Sequence, residues 1–277
     1  MKIAVVCANG IGDALIMLIA SYHLKKHGYD VTTASPHRFG NWLPQCQFAE
    51  PHDADLIFLQ HDNTKQSQIL HDQNKPVFTF YGQHLASKHG PLRQGLDYVC
   101  NPSWSMVDNV IASLQALFHI QATPENGLLP PAGLVHRRYP KRVAIHTGSA
   151  QMEKNWPTPK FLAVVRFLEK QDLQPHIIPL FPSIEELCSF IYESGYFIGN
   201  DSGPGHIASY LQIPSLIIAK SHKQMRLWRP GWKSATILTP PHWIPNWKGS
   251  RLREKYWKQL VTINKVIKTL KCNVLCN

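Results

Sequence analysis

The sequence predicts an α/β protein made of two parallel-sheet halves, and three observations predict it. Short apolar runs rich in Val, Ile and Phe recur between turn residues, as expected of strands buried on both faces. Segments with apolar residues at helical spacing separate these runs, and strands alternating with helices imply a parallel sheet covered on both sides. A Pro- and Arg-rich stretch, LLPPAGLVHRRYPKR at 128–142, interrupts the alternation, which then restarts. Such a stretch reads as an inter-domain linker.

Taken in order, KIAVVC (2–7) is the first strand and a Gly-containing turn follows. Residues 13–27 place Leu15, Ile16, Leu18, Ile19 and Tyr22 at helical spacing, and Gly28 stands where a helix end takes a left-handed residue. YDVTTAS (29–35), DLIFLQ (55–60) and PVFTFYG (76–82) are further strands, and 104–118 is a helix. In the second half RVAIHTG (142–148) is a strand and turn. Residues 158–171 form a helix with Thr158 as N-cap and Pro159 at its first position. HIIPL (176–180) is a strand, and Ser183 with Glu186 has the spacing of a capping box. Gly195 ends that helix, YFIGN (196–200) is the next strand, and SLIIA (215–219) follows a loop and a short helix. Residues 253–270 set Tyr256, Leu260, Ile263, Ile267 and Leu270 on one helical stripe.

At 277 residues, 44% of them hydrophobic, the chain is long enough for one large domain or two smaller ones. No apolar run reaches the roughly 20 residues that span a bilayer. The apolar N-terminus is split by Gly10, Gly12 and Asp13, so it reads as strand, turn and helix and not as an export signal. A cytoplasmic protein is expected. Its six Cys are scattered, which suits buried thiols better than a disulfide framework. Cys272 and Cys276 form a CxxxC with no second ligand pair, and no HExxH or HxH occurs; a chelated metal is not expected.

Charge is unevenly placed. Residues 1–221 hold 17 Lys/Arg and 17 Asp/Glu, whereas 222–277 hold 12 Lys/Arg, one acid (Glu254) and five of the eight Trp. A basic, aromatic-rich surface suits an anionic partner such as a membrane face, a phosphorylated substrate or a nucleic acid. The same composition also fits a solvated basic face whose Trp side chains are core.

Three loops carry polar groups beyond what a turn needs. GNDSGPGHIAS (199–209) joins a strand to a helix start, where unpaired N–H groups and the helix dipole favour anions. Gly203 and Gly205 would admit a ligand close to the backbone, Asp201 and Ser202 can bond sugar hydroxyls, and His206 can donate to a phosphate. HTGSAQMEKNWP (146–157) also follows a strand. Thr147 and Ser149 offer hydroxyls, Lys154 offers a point charge, and Trp156-Pro157 would anchor the loop. In a parallel sheet both loops leave the ligand-binding end, so they can converge. The third, ANGIGDALI (8–16), lacks the complete G-x-G-x-x-G because residue 15 is Leu, which argues against a nicotinamide or flavin site. It puts Asp13 at the mouth of the first helix, as a dipole-complementing acid or as a functional carboxylate. The DxD at Asp53 and Asp55 precedes a strand, the wrong end of the sheet for a metal-diphosphate site.

With these residues in view, the chain resembles glycosyltransferase family 9, the bacterial lipopolysaccharide heptosyltransferases. The resemblance runs in order along nearly the whole chain: the G-x-GD turn at Gly10, Gly12 and Asp13, the K-x-WP at Lys154, Trp156 and Pro157, the N-D-S-G-P-x-H from Asn200 to His206, and Arg226-Leu-Trp-Arg-Pro. It implies a GT-B fold of two Rossmann-like domains facing across a cleft. The acceptor-side domain would be 1–130 and the nucleotide-sugar domain 140–252. In 253–277 a C-terminal helix would return to the first domain. It also implies an ADP-heptose donor, a lipid-linked anionic inner-core glycan as acceptor at the inner face of the inner membrane, and inversion with no cofactor or obligatory metal. The general base falls on Asp13, and the donor contacts on Lys154, Asp201, Ser202, Gly203 and His206. The chain departs from the family where only Phe181 and Pro182 separate HIIPL from Ser183, and where Ala219-Lys220 replaces Phe-Gly. These departures keep a second reading open, a catalytically reduced relative that binds a nucleotide or glycan. A nucleotide-sugar epimerase of the same fold is a third. No nucleic-acid-binding motif is present.

Overall fold

A computed structural model gives the structure of the chain over residues 1–233, 235–247 and 250–273. Cys276 of the C-terminal CxxxC lies outside the described residues. The chain divides into two units, Met1–Pro131 with Ser183–Glu185, and Ala132–Pro182 with Glu186–Asn277.

The first unit is a six-stranded sheet of β1 (Lys2–Val6), β2 (Asp30–Ala34), β3 (Gln47–Phe48), β4 (Leu56–His61), β5 (Val77–Tyr81) and β6 (Asp97–Val99). The order is β3-β2-β1-β4-β5-β6 and every pairing is parallel, the order of doubly wound nucleotide-binding folds. Its helices are α1 (Ile11–Lys26), α2 (Lys65–His71), α3 (Ala86–His89) and α4 (Met106–Phe118). Every residue of α1 from Ala14 to Ser21 is buried, so this helix has no solvent face in its middle turns. That is why its sequence can be mistaken for an export signal. α1 ends as expected: Gly28 takes φ +85°, its N–H reaches Lys25 O, and the Tyr29 N–H reaches Leu24 O, the paired bonds of a Schellman end. A capping box of Ser105 and Asp108 starts α4.

The second unit is a five-stranded parallel sheet of β7 (Tyr139–His146), β8 (Gln174–Ile177), β9 (Ser194–Asn200), β10 (Ser215–Ile218) and β11 (Thr236–Leu238), in the order β11-β10-β9-β7-β8. It carries α5 (Thr158–Glu169), most of α6 (Ile184–Tyr192), α7 (Gly203–Tyr210), α8 (His222–Trp228), α9 (Leu252–Lys255), α10 (Trp257–Leu260) and α11 (Ile263–Asn273).

Three expectations are corrected here. Pro157 is the N-cap of α5, and Thr158 is already helical with no side-chain cap bond. Gly195 lies inside β9, where a Cβ would collide with Pro140 O of the neighbouring strand, so the glycine serves strand packing and not a helix end. The 253–270 helix is three pieces. The carbonyl of Val261 accepts from Trp156 Nε1 at 2.9 Å and from Lys160 Nζ at 3.2 Å, and its ψ of 93° takes it out of the helical ladder. Trp257, Val261, Val266 and Leu270 are buried there, in one cluster with Trp156, Phe161, Val164 and Leu168. The apolar side of α11 at Val266 and Leu270 is used within the second unit.

Candidate active site

In each sheet the strand order reverses once, between β1 and β4 in the first unit and between β7 and β9 in the second. Open α/β sheets bind ligands beyond the carboxyl ends of their strands at such reversals. The polar loops singled out in the sequence leave those strand ends.

In the second unit the loop after β7 is pinned to β9 by one buried side chain. Asn200 Oδ1 accepts from the Trp156 N–H at 2.9 Å, and Asn200 Nδ2 donates to Thr147 O at 2.7 Å. The amide thus spans both ends of the loop, and its orientation is set by one donor and one acceptor. Within the loop Ser149 Oγ lies 2.7 Å from Gln151 O and 2.6 Å from Asn155 Oδ1, so its one O–H is shared between them and the hydroxyl braces the loop. Trp156 is fully buried and fixes the loop's far end to the core.

That loop puts Lys154 beside Asp201, with Nζ to Oδ2 at 3.3 Å. Burial pushes the Asp201 carboxyl above the usual aspartate range, and Lys154 pulls the other way. The two therefore form a partly buried ion pair. Ser202, the N-cap of α7, makes no side-chain cap bond. Instead Ser202 Oγ bonds His146 Nδ1 at 3.0 Å and Asn200 O at 3.1 Å. Gly203 is the first residue of α7.

Two expectations about α7 change. Gly205 faces the sheet: a Cβ there would lie 2.9 Å from Ile217 Cδ1, so this glycine allows close helix–sheet packing and not ligand approach. The helix start also offers fewer free donors than the usual four, because Pro204 has no N–H and the Gly205 N–H goes to Ser202 O at 3.0 Å. His206 is buried, and burial followed by Lys154 lowers its pKa to about 4. It is uncharged at neutral pH and offers a single N–H, not a cation. Its Nδ1 is buried without a hydrogen-bond partner.

In the first unit Asp13 stands in the first turn of α1. Its Oδ1 accepts from Gln60 Nε2 at 2.6 Å, and Gln60 Oε1 accepts from the Ala8 N–H at 3.0 Å. Gln60 is buried on β4, and its two partners of opposite kind decide which end of the amide meets Asp13. Gly10 is needed for this arrangement, since a Cβ there would run into Asp13 Oδ2. Changing Gln60 to Glu would set a second carboxylate against Asp13. Two acids in one place share a proton and the pair's upper pKa rises, so if Asp13 serves as a base the acid limb of a pH–rate profile moves to higher pH. A profile unchanged from wild type would show that Gln60 does not govern Asp13.

Asp55, from the DxD, accepts from the Lys2 N–H at 2.7 Å at the amino end of the sheet, away from the ligand-binding strand ends. Among the described residues no group of three His, Cys, Asp or Glu side chains is placed to hold a metal ion, and no helix is long and apolar enough to cross a membrane.

No protein-family model matches the chain, and no curated protein matches it in sequence. Solved structures do match. The E. coli heptosyltransferase WaaC with ADP superposes with a TM-score of 0.67 at 10% identity, over 99% of this chain and 100% of that one. E. coli ADP-heptose lipopolysaccharide heptosyltransferase II gives 0.68 at 15% identity, over 100% and 99%. A family 9 glycosyltransferase from Veillonella parvula gives 0.69 at 14% identity, over 100% and 98%. The chain has the heptosyltransferase fold. On that fold the N-D-S-G-P-x-H run closes β9 and opens α7, and the K-x-WP run closes the loop after β7. Sequence reading passed over Gln60, and it gave His146 and Asn200, which open two of the quoted motifs, no role of their own. Each closes or nearly closes an apolar strand run, and a polar side chain at that position is the signal that points to them.

Proposed function

We propose that the chain is a glycosyltransferase of the family 9 heptosyltransferase type, transferring a heptose or related sugar from an ADP-sugar to a lipid-linked, anionic inner-core glycan with inversion. The observation that carries this reading is the pairing of Lys154 with Asp201 at the strand-order reversal of the second unit, on a loop braced by Asn200. WaaC, a solved protein of this fold, holds ADP.

In this reading the donor diphosphate lies against Lys154, Ser202, Gly203 and the start of α7, with Thr147, Ser149 and His206 around it. Preorganised donors aimed at a developing anion supply most of the rate enhancement in many such reactions. With few free N–H groups at α7, Lys154 carries most of the charge compensation for the departing nucleotide, and Asp201, displaced from it, turns to the sugar hydroxyls. The acceptor hydroxyl is presented to Asp13, which takes its proton as the new bond forms at the anomeric carbon. Gln60 Nε2 donates to Oδ1 of that carboxylate and orients it.

Lys154→Met keeps most of the side chain's apolar stem and removes its charge. The expected result is a loss of ADP affinity of about tenfold or more, the scale of one charge-assisted hydrogen bond, read by calorimetric titration of the full chain. Equal affinity in wild type and variant contradicts the donor assignment.

A further inference from the structure

Four histidines and Tyr81 gather at the carboxyl ends of β4 and β5. His61 ends β4, Tyr81 ends β5, His71 ends α2 and His89 ends α3, with His84 between β5 and α3. The His89 ring centroid lies 5.0 Å from that of His61, 5.1 Å from Tyr81 and 5.2 Å from His84. Tyr81 also meets His61 and His84 at 5.1 Å, and His61 meets His71 at 6.2 Å. In the segment 83–89 every residue except His84 and His89 is exposed, and α3 buries none of its residues. The two imidazoles are therefore the side chains that attach this segment to the strand ends.

Hydrogen bonds fix the charge state of two of the rings. The Leu85 N–H donates to His89 Nδ1 at 3.0 Å, so that nitrogen keeps its lone pair. His89 Nε2 then carries the proton and donates to Asn63 Oδ1 at 2.6 Å. The Asn63 N–H in turn donates to His61 Nδ1 at 3.3 Å. In both rings the nitrogen that would take a second proton already accepts from a backbone N–H. A proton there would set one N–H against another and break the bond. The acids in the neighbourhood are engaged. Asp62 accepts from Thr64 Oγ1 at 2.7 Å and from Ser67 Oγ. Asp72 accepts from His71 Nδ1 at 2.8 Å and from Gln68 Nε2 at 3.0 Å. Asp97 of β6, whose charge acts on Tyr81, is paired with Arg93 at 2.7 Å. Burial first, then the facing imidazoles and, for His89, Lys88, hold His61 and His89 below the usual histidine range.

We propose that His61 and His89 form a proton-sensitive latch on the first unit. With both rings neutral it holds the segment 83–89 against the ends of β4 and β5, and a proton on either ring releases it. Ligands of open α/β sheets bind beyond these carboxyl ends, so the latch sets whether that rim is ordered. The released form takes up protons at the ordinary histidine pKa and the latched form only below it. Latching is therefore unaffected well above about pH 6.5 and weakens as the pH falls below that value. The latch rests on the ring geometry and not on the sugar-transfer reading.

Hydrogen exchange of the full chain, read by mass spectrometry and corrected for the intrinsic pH dependence of amide exchange, tests this. Each ring that must stay neutral should make opening of peptides covering 83–90 about tenfold easier at about pH 5.5 than at about pH 7.5. His61→Gln with His89→Gln removes both protonation sites. Exchange of those peptides in this variant should lose its pH dependence, however firmly the segment is still held. Ring-nitrogen NMR shifts of the wild type need no variant, and His61 and His89 should titrate below the ordinary value of about 6.5. Equal protection of 83–90 at both pH values overturns the latch. So does a pH dependence that survives in the double variant, or titration of both rings at the ordinary value.

Discussion

Replacing Asp13 with Asn lowers sugar transfer by about 10²–10⁴-fold, the range that a positioned general base supplies, and leaves ADP affinity unchanged. The substitution keeps the side chain's shape and removes its negative charge and with it the ability to take a proton. Asp13 belongs to the first unit, whereas the residues proposed for the donor belong to the second. Turnover and nucleotide affinity should therefore separate in this variant. Gln60 would still have an oxygen to meet at Oδ1, so the turn from Ala8 to Asp13 stays in place. Near-normal turnover in Asp13→Asn would remove Asp13 from the chemistry and return it to the role of a dipole-complementing acid in α1.

Truncating Trp156 to Ala destabilises the second unit by about 3–5 kcal/mol, the usual cost of emptying a large aromatic site in a core. Three features make the upper part of that range the expected one. The ring is fully buried and meets Phe161 edge-on with centroids 5.0 Å apart. Its Nε1–H goes to Val261 O, which the change leaves with one donor fewer. It also joins the loop bearing Lys154 to the segment after α10, which is remote in sequence. Denaturant melts read the loss directly, and nucleotide affinity should fall with it because the loop loses its anchor. A change below about 1 kcal/mol, the size typical of tolerant positions, would show that the loop is held elsewhere.

Much of this architecture is legible in the sequence, for a physical reason. Strands buried on both faces carry unbroken apolar runs, such as residues 56–59 of β4, whose function is packing. β3 and β6, at two and three residues with no fully buried position, leave no such trace. The broken C-terminal helix could not be read locally. Its break depends on Trp156 and Lys160 taking the Val261 carbonyl from about a hundred residues away in sequence. The candidate site follows the same division. Asp201, Ser202 and Lys154 are visible because they crowd polar groups into loops at strand ends. The bracing roles of Gln60, His146 and Asn200 are not, because a single amide or imidazole at a strand end looks ordinary until its partners are in place. Gly205 misleads for a related cause: a glycine spaced for ligand approach and one spaced for helix–sheet packing are identical in sequence, and only the Ile217 contact separates them.

The central claim is that a nucleotide diphosphate sits on the second unit between the loop after β7 and the start of α7. Hydrogen exchange read by mass spectrometry, with and without saturating ADP, tests it most directly, since a bound ligand slows the opening of the backbone it holds. The account predicts slowed exchange in peptides covering 147–157 and 201–206, lost again in Lys154→Met. Unchanged exchange in both segments, with protection only in other parts of the chain, would contradict it.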